Sequence, residues 1–295
     1  MSQAEPMGAD FSVLNIPFYT NLTSILNNSI YTFSSTDSMM LFKETGNKLS
    51  KQGSIQQLPN GQYIGVPLFQ CLLKKDASYL IGPESMNYQI YKFIIIPADE
   101  KNPDKVILEE KYLKDREYKS PCFNEEHNIN IYRVLFSEVK SKKVWLSLSR
   151  EREYVFKFRN ANLKMLYKNF RDHIDVSQGP FENSRWIYND NYGNVFIDGF
   201  FINNNYKLYL SDGSVACEFD NTNRTNKWIL HTKNEEMGLL RFANYNMPPA
   251  FSKNEKILNH NNDFLTDFNE LIVCMTFVLL NHKRYEKQAR RRRNN

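Results

Sequence analysis

Apolar and polar residues alternate with a period of two along much of this chain. Tyr154-Val155-Phe156-Lys157-Phe158 and Tyr206-Lys207-Leu208-Tyr209-Leu210 are clear cases, and they predict strands with one buried and one wet face. Strand-like runs at 30–33, 62–66, 88–96, 131–136, 144–148, 154–158, 185–188, 195–202, 206–210, 214–219, 227–231 and 239–242 dominate the reading. The breaks between them have turn chemistry. Asn60-Gly61, Asn203-Asn204-Asn205 and Asp212-Gly213 supply residues that tolerate positive φ, and Pro97 stops the run before it. Residues 195–219 are therefore expected to form a three-stranded meander. The charged, turn-rich stretch 98–128 is expected as a polar insertion with a short element at 106–112.

One segment abandons the alternation. Residues 271–280 read LIVCMTFVLL, without a charge. A helix that is apolar all round must be enclosed, by a bilayer or by the protein itself. A bilayer core of about 30 Å needs roughly 20 apolar residues, and this run supplies half of that. Extending it back to Phe264 adds three apolar residues but also Asp267 and Glu270, whose insertion cost of about 2.5–3.5 kcal/mol each cancels the apolar gain. No transmembrane span is expected. Asn262 or Asp263 is placed to cap the helix, with Asp267 and Glu270 in its first turns and Lys283, Arg284 and Lys287 in its last, as the helix dipole favours.

Short antiparallel strands followed by one all-apolar helix point to a mainly β fold, a barrel or sandwich wrapped around that helix. The chain is read as a loosely ordered lead-in over 1–28, a single domain over 29–289 with its polar insertion near 98–128, and a basic tail over 290–295. Its 17 Tyr and 21 Phe suit aromatic strands better than a helical bundle.

Charge isolates the tail. Residues 282–295 hold seven Lys and Arg and one acid, leaving 31 basic and 32 acidic residues elsewhere, so the tail accounts for the net charge of +5. Lys283, Arg284, Lys287, Arg290, Arg291, Arg292 and Arg293 are the candidate site for acidic lipid or another polyanion, at about 1 kcal/mol per charge near a membrane and with steep salt dependence. The same residues suit nuclear localisation or a nucleic-acid contact, the less favoured reading. The plainest reading is that they balance the helix dipole.

Enzymatic signals are poor. His127, His173, His231, His260 and His282 are scattered, without HExxH or Cys/His ligand spacing. Gly46-Asn47-Lys48 lacks the flanking glycines of a phosphate loop, no GxSxG occurs, and Glu109-Glu110 and Glu125-Glu126 lie in polar stretches. No catalytic residue, metal or cofactor is expected. Tyr192, Phe196, Phe200 and Phe201 have the spacing of core strand residues rather than of a base-stacking platform. The four cysteines form no CxxC pair, and residues 1–10 carry two acids and no base. A reducing compartment follows, cytoplasmic with a peripheral membrane or nuclear site of action.

The pattern resembles the tubby C-terminal-like fold, shared with phospholipid scramblases and with small tubby-like proteins of fungi. The resemblance rests on IYTFSSTDSMMLF (30–42), on FENSRWIYNDNYGNVFIDGFF (181–201) leading into KLYLSDGSVACEF (207–219), and on NELIVCMTFVLLNHKRYEKQARRRR (269–293). It covers most of 30–287, and the segment 98–128 departs from the compact family pattern. It implies an antiparallel meander of about twelve strands closed around the hydrophobic C-terminal helix. Tubby proteins recognise phosphoinositides and scramblases are linked to lipid movement, so the resemblance implies a non-enzymatic protein that meets acidic lipid or a protein partner at a membrane surface. None of the family's ligand residues is carried over to this sequence. The alternative is a nuclear or cytosolic interaction module; lipid scrambling or a hydrolase without a motif follows behind.

Overall fold

Alternating aromatic and β-branched residues build a sheet that bends until its two ends meet. The computed structural model describes residues 14–21, 29–74, 87–103, 119–143, 151–158, 162–167, 173–188, 196–197, 200–201, 205–220, 235–243 and 265–291. Its strands are β1 (Leu14–Asn21), β2 (Ser29–Thr32), β3 (Gln56–Gln57), β4 (Tyr63–Ile64), β5 (Phe69–Lys74), β6 (Asn87–Pro97), β7 (Lys119–Asn124), β8 (Ile129–Lys143), β9 (Arg152–Lys157), β10 (Asn162–Tyr167), β11 (His173–Gln178), β12 (Arg185–Tyr188), β13 (Phe196–Ile197), β14 (Phe200–Phe201), β15 (Asn205–Tyr209), β16 (Val215–Asp220) and β17 (Glu235–Phe242). Two helices, α1 (Thr36–Glu44) and α2 (Asp267–Arg291), complete the described elements.

The neighbours run β6-β5-β2-β1-β17-β16-β15-β12-β11-β10-β9-β8, and β8 pairs back onto β6, closing a barrel of twelve antiparallel strands. Around the ring the strands follow chain order, so the barrel is an up-and-down meander. The pieces β3–β4, β7 and β13–β14 are excursions from it. β8 is long enough to serve three neighbours: residues 129–133 face β7, 138–143 face β9, and its other edge faces β6. Closure removes most of the free sheet edge on which another chain would pair.

Inside, α2 fills the barrel. Nine of the residues 271–280 are buried apolar side chains and the tenth, Thr276, is buried with its hydroxyl donating to the Ile272 carbonyl at 2.9 Å. That internal bond satisfies the one polar group in the run. Phe18 of β1 joins wall to helix, its ring 5.3 Å from both Phe219 of β16 and Phe277 of α2, edge-on to each. Burial at about 1.5–3 kcal/mol for each large apolar side chain makes this contact the main source of stability. Outside, the wall bears Glu153, Lys157, Lys164, Asp175, Arg185, Lys207 and Arg241, with Arg185 Nε 3.1 Å from an Asp175 oxygen. A filled apolar interior and a charged exterior reverse the pattern of a membrane-spanning barrel. Among the described residues no helix is long and apolar enough to cross a membrane.

Several local expectations are corrected. The lead-in contains β1, held between β2 and β17 because Ile16 and Phe18 reach the core. The polar insertion contains β7, which pairs with the first part of β8 on the edge that β9 takes further along; 106–112 falls outside the described residues. The meander expected over 195–219 is interrupted, since β13 and β14 pair only with each other and β15 pairs with β12. The dipeptide Asp198-Gly199 between them is a tight-turn signal that favours a local hairpin over one long strand. The runs 144–148 and 227–231 fall outside the described residues. α1 forms where alternation gives no strand: Ser35 Oγ accepts from Ser38 N at 3.1 Å, Asp37 is in the first turn and Lys43 in the last. Its Met39 and Phe42 cover Tyr19 and Phe33.

Candidate functional site at the helix exit

The direction of α2 decides which groups meet at each mouth of the barrel. Its start is capped by Thr266, whose Oγ1 accepts from Asn269 N at 3.2 Å. The expected caps, Asn262 and Asp263, fall outside the described residues. At this entry mouth Phe268 lies against Phe181 of the β11–β12 connection, ring centroids 3.9 Å apart. One turn on, Glu270 Oε1 meets Lys92 Nζ of β6 at 2.8 Å, with both side chains inside the wall. Further along, Asn281 Nδ2 lies 3.8 Å from Cys71 Sγ of β5.

From that last contact the helix end can be compared with the wall. α2 continues from Asn281 to Arg291, about 15 Å at 1.5 Å per residue. β5 continues from Cys71 only to Lys74, at most about 10 Å along its own direction. The end of α2 therefore reaches beyond the end of β5. β8 and β9, two and three strands along the ring from β5, reach further: Lys140 and Lys142 are exposed on β8, while Arg152, at the start of β9, turns inward. Arg152 is buried and its Nη1 donates to Ser141 Oγ at 3.0 Å. Glu153 lies opposite Lys142 in register and 3.5 Å from Lys164 Nζ, and further round the same rim Glu235 and Glu236 stand at the start of β17, opposite Asn21 and Thr20.

Five of the seven candidate residues, Lys283, Arg284, Lys287, Arg290 and Arg291, lie on α2; Arg292 and Arg293 fall outside the described residues. At about 100° per residue those five positions share one arc of about 120°. Glu286 borders the arc beside Arg290, and Tyr285 and Ala289 lie opposite. Acids at the entry and bases at the exit both match the helix dipole, so α2 brings a run of bases to the exit mouth. Sequence reasoning found the tail but missed Lys140, Lys142 and Arg152. The run Val139-Lys140-Ser141-Lys142-Lys143 was the available signal, hidden by the near-neutral sum over the body of the chain.

The remaining chemistry is quiet. None of the four cysteines forms a disulfide, and burial pushes the Cys217 and Cys274 thiols well up from their ordinary value, which suppresses the reactive thiolate. Among the described residues no three His, Cys, Asp or Glu side chains group as metal ligands. A family model described as DIA1 matches residues 18–288, from the first strand of the barrel through most of the closing helix. The chain belongs to the DIA1 family. The match of this DIA1 family member spans the wall from the middle of β1 and most of the helix inside it. No curated protein and no solved structure matches it.

Proposed function

We propose that the protein is a non-enzymatic, tubby-like barrel that attaches to a membrane surface rich in acidic lipid, with the helix-exit mouth as its contact. The observation that carries this reading is the continuity of α2. Five of the seven bases in the segment with the chain's positive excess lie on a helix whose other end is packed in the barrel core, so their backbone positions are set by the fold. Such order lowers the entropy lost on binding. Each Lys or Arg near an acidic surface contributes about 1 kcal/mol. A barrel closed around a C-terminal helix is also the construction that the resemblance to tubby-like proteins implies.

Co-sedimentation with phosphatidylcholine vesicles, with and without phosphatidylserine, tests the reading. Binding is expected only to the acidic vesicles, weakening as salt rises, and disappearing when residues after Tyr285 are removed. Failure to sediment with acidic vesicles at low salt overturns it.

A further inference from the structure

The way the charges are displayed narrows the kind of surface they fit. Lys283, Arg284, Lys287, Arg290 and Arg291 span eight residue steps along α2, about 12 Å, which exceeds the roughly 8 Å screening length of physiological salt. The two ends of the stripe therefore act on different neighbouring charges. Lys140 and Lys142 at the rim extend the display sideways. Among the described residues the interior is filled by side chains of α2 and the wall.

We infer that the exit mouth reads the charge density of an acidic bilayer, engaging several headgroups at once along the basic face of α2, rather than one phosphoinositide in a pocket. This rests on the membrane reading above and names its ligand.

Two measurements on the full chain test the inference. In the first, partitioning is compared between vesicles containing phosphatidylserine and vesicles containing a phosphoinositide at matched total charge; agreement within about threefold is expected for a density reader. A preference above about tenfold for the phosphoinositide overturns it. In the second, Lys287→Ala combined with Ala289→Lys keeps the net charge but moves one base about 200° around the helix. Partitioning to phosphatidylserine vesicles should fall about fivefold, the effect of one surface charge, with thermal stability unchanged. If the wild type binds and the swap has no effect, net charge suffices and the stripe is overturned while the membrane reading stands. If the wild type binds no acidic vesicle, both fail. Tighter binding to duplex DNA than to vesicles at equal ionic strength overturns the lipid assignment. The first measurement uses the wild type, so the inference stays testable even if the swap fails to fold.

Discussion

Lys92 Nζ stands 2.8 Å from Glu270 Oε1 inside the barrel, joining β6 to the first turns of α2. The glutamate is 2% exposed, and its second oxygen meets no hydrogen-bond donor among the described residues. A charge buried this deeply is tolerated because its partner is buried with it. The pair also fixes the rotation and depth of a helix whose other contacts are apolar and non-directional.

Removing one partner should therefore cost more than removing both. Lys92→Met is expected to lower unfolding stability by about 3–5 kcal/mol, and adding Glu270→Leu to that variant should recover much of the loss. Urea denaturation of the two variants beside the wild type measures the difference. Equal loss in both would show that the pair contributes packing alone.

The buried thiols give a prediction with a definite sign. Burial raises Cys217 and Cys274 well above the usual thiol value of 9.0. In the folded state they stay neutral as pH rises, whereas in the unfolded chain they ionise near their ordinary value. Their contribution is therefore fully present below pH 9 and is lost as the solution becomes more alkaline. Melting temperature should fall between pH 8 and pH 10, less steeply in Cys217→Ser/Cys274→Ala once each is referred to its own value at pH 8. Iodoacetamide at pH 8 should modify the partly exposed Cys122 first and leave Cys217 and Cys274 untouched until unfolding.

Gly238 lies where β17 passes the ring of Phe219. A Cβ there would sit 2.8 Å from two ring carbons, and Phe219 is held by Phe18 and cannot swing aside. Gly238→Ala should cost about 1–3 kcal/mol, the usual range for overpacking. A thermal melt unchanged within error would show that the wall yields at this point.

Asp212 organises the β15–β16 turn, accepting from Ser214 N at 2.8 Å and Ser214 Oγ at 2.7 Å. These bonds hold its carboxyl below the usual value of 3.8. The stabilisation is present above that value and is lost as pH falls through the lower folded-state value. Asp212→Asn should flatten the acid limb of a stability-against-pH curve measured from pH 5 to pH 2.

The closing helix was legible because ten uncharged residues in sequence have few places to go, and Asp212-Gly213 because only certain residues accept the turn; Gly213 has φ +85°. The ion pair was not legible. Tyr88, Ile90, Ile94 and Ile96 line the interior, but Phe93 and Ile95 pack in a second cluster outside. With both faces of β6 apolar, alternation does not say which face Lys92 occupies. β8 hides its length for a related reason. Leu135 pairs with Tyr91 and Ser137 with Ile90, so Phe136 is an extra residue in the register. Such a bulge shifts the phase of the alternation, and the strand expected over 131–136 stops there although β8 continues to Lys143. The basic face of α2 follows from the sequence once the helix is known to run to Arg291; the unbroken helix is what the sequence left open.

The order of elements along the chain also constrains how the barrel is made. β1 pairs with β17, more than two hundred residues later, and α2 follows every strand it is enclosed by. While the chain is being synthesised, the wall lacks both its last strand and its filling, so strands formed early hold their apolar faces open until α2 is released. Contacts this distant in sequence are associated with slow folding. During that interval the apolar faces of the early strands stay uncovered, the kind of transient exposure that makes a folding chain prone to aggregate.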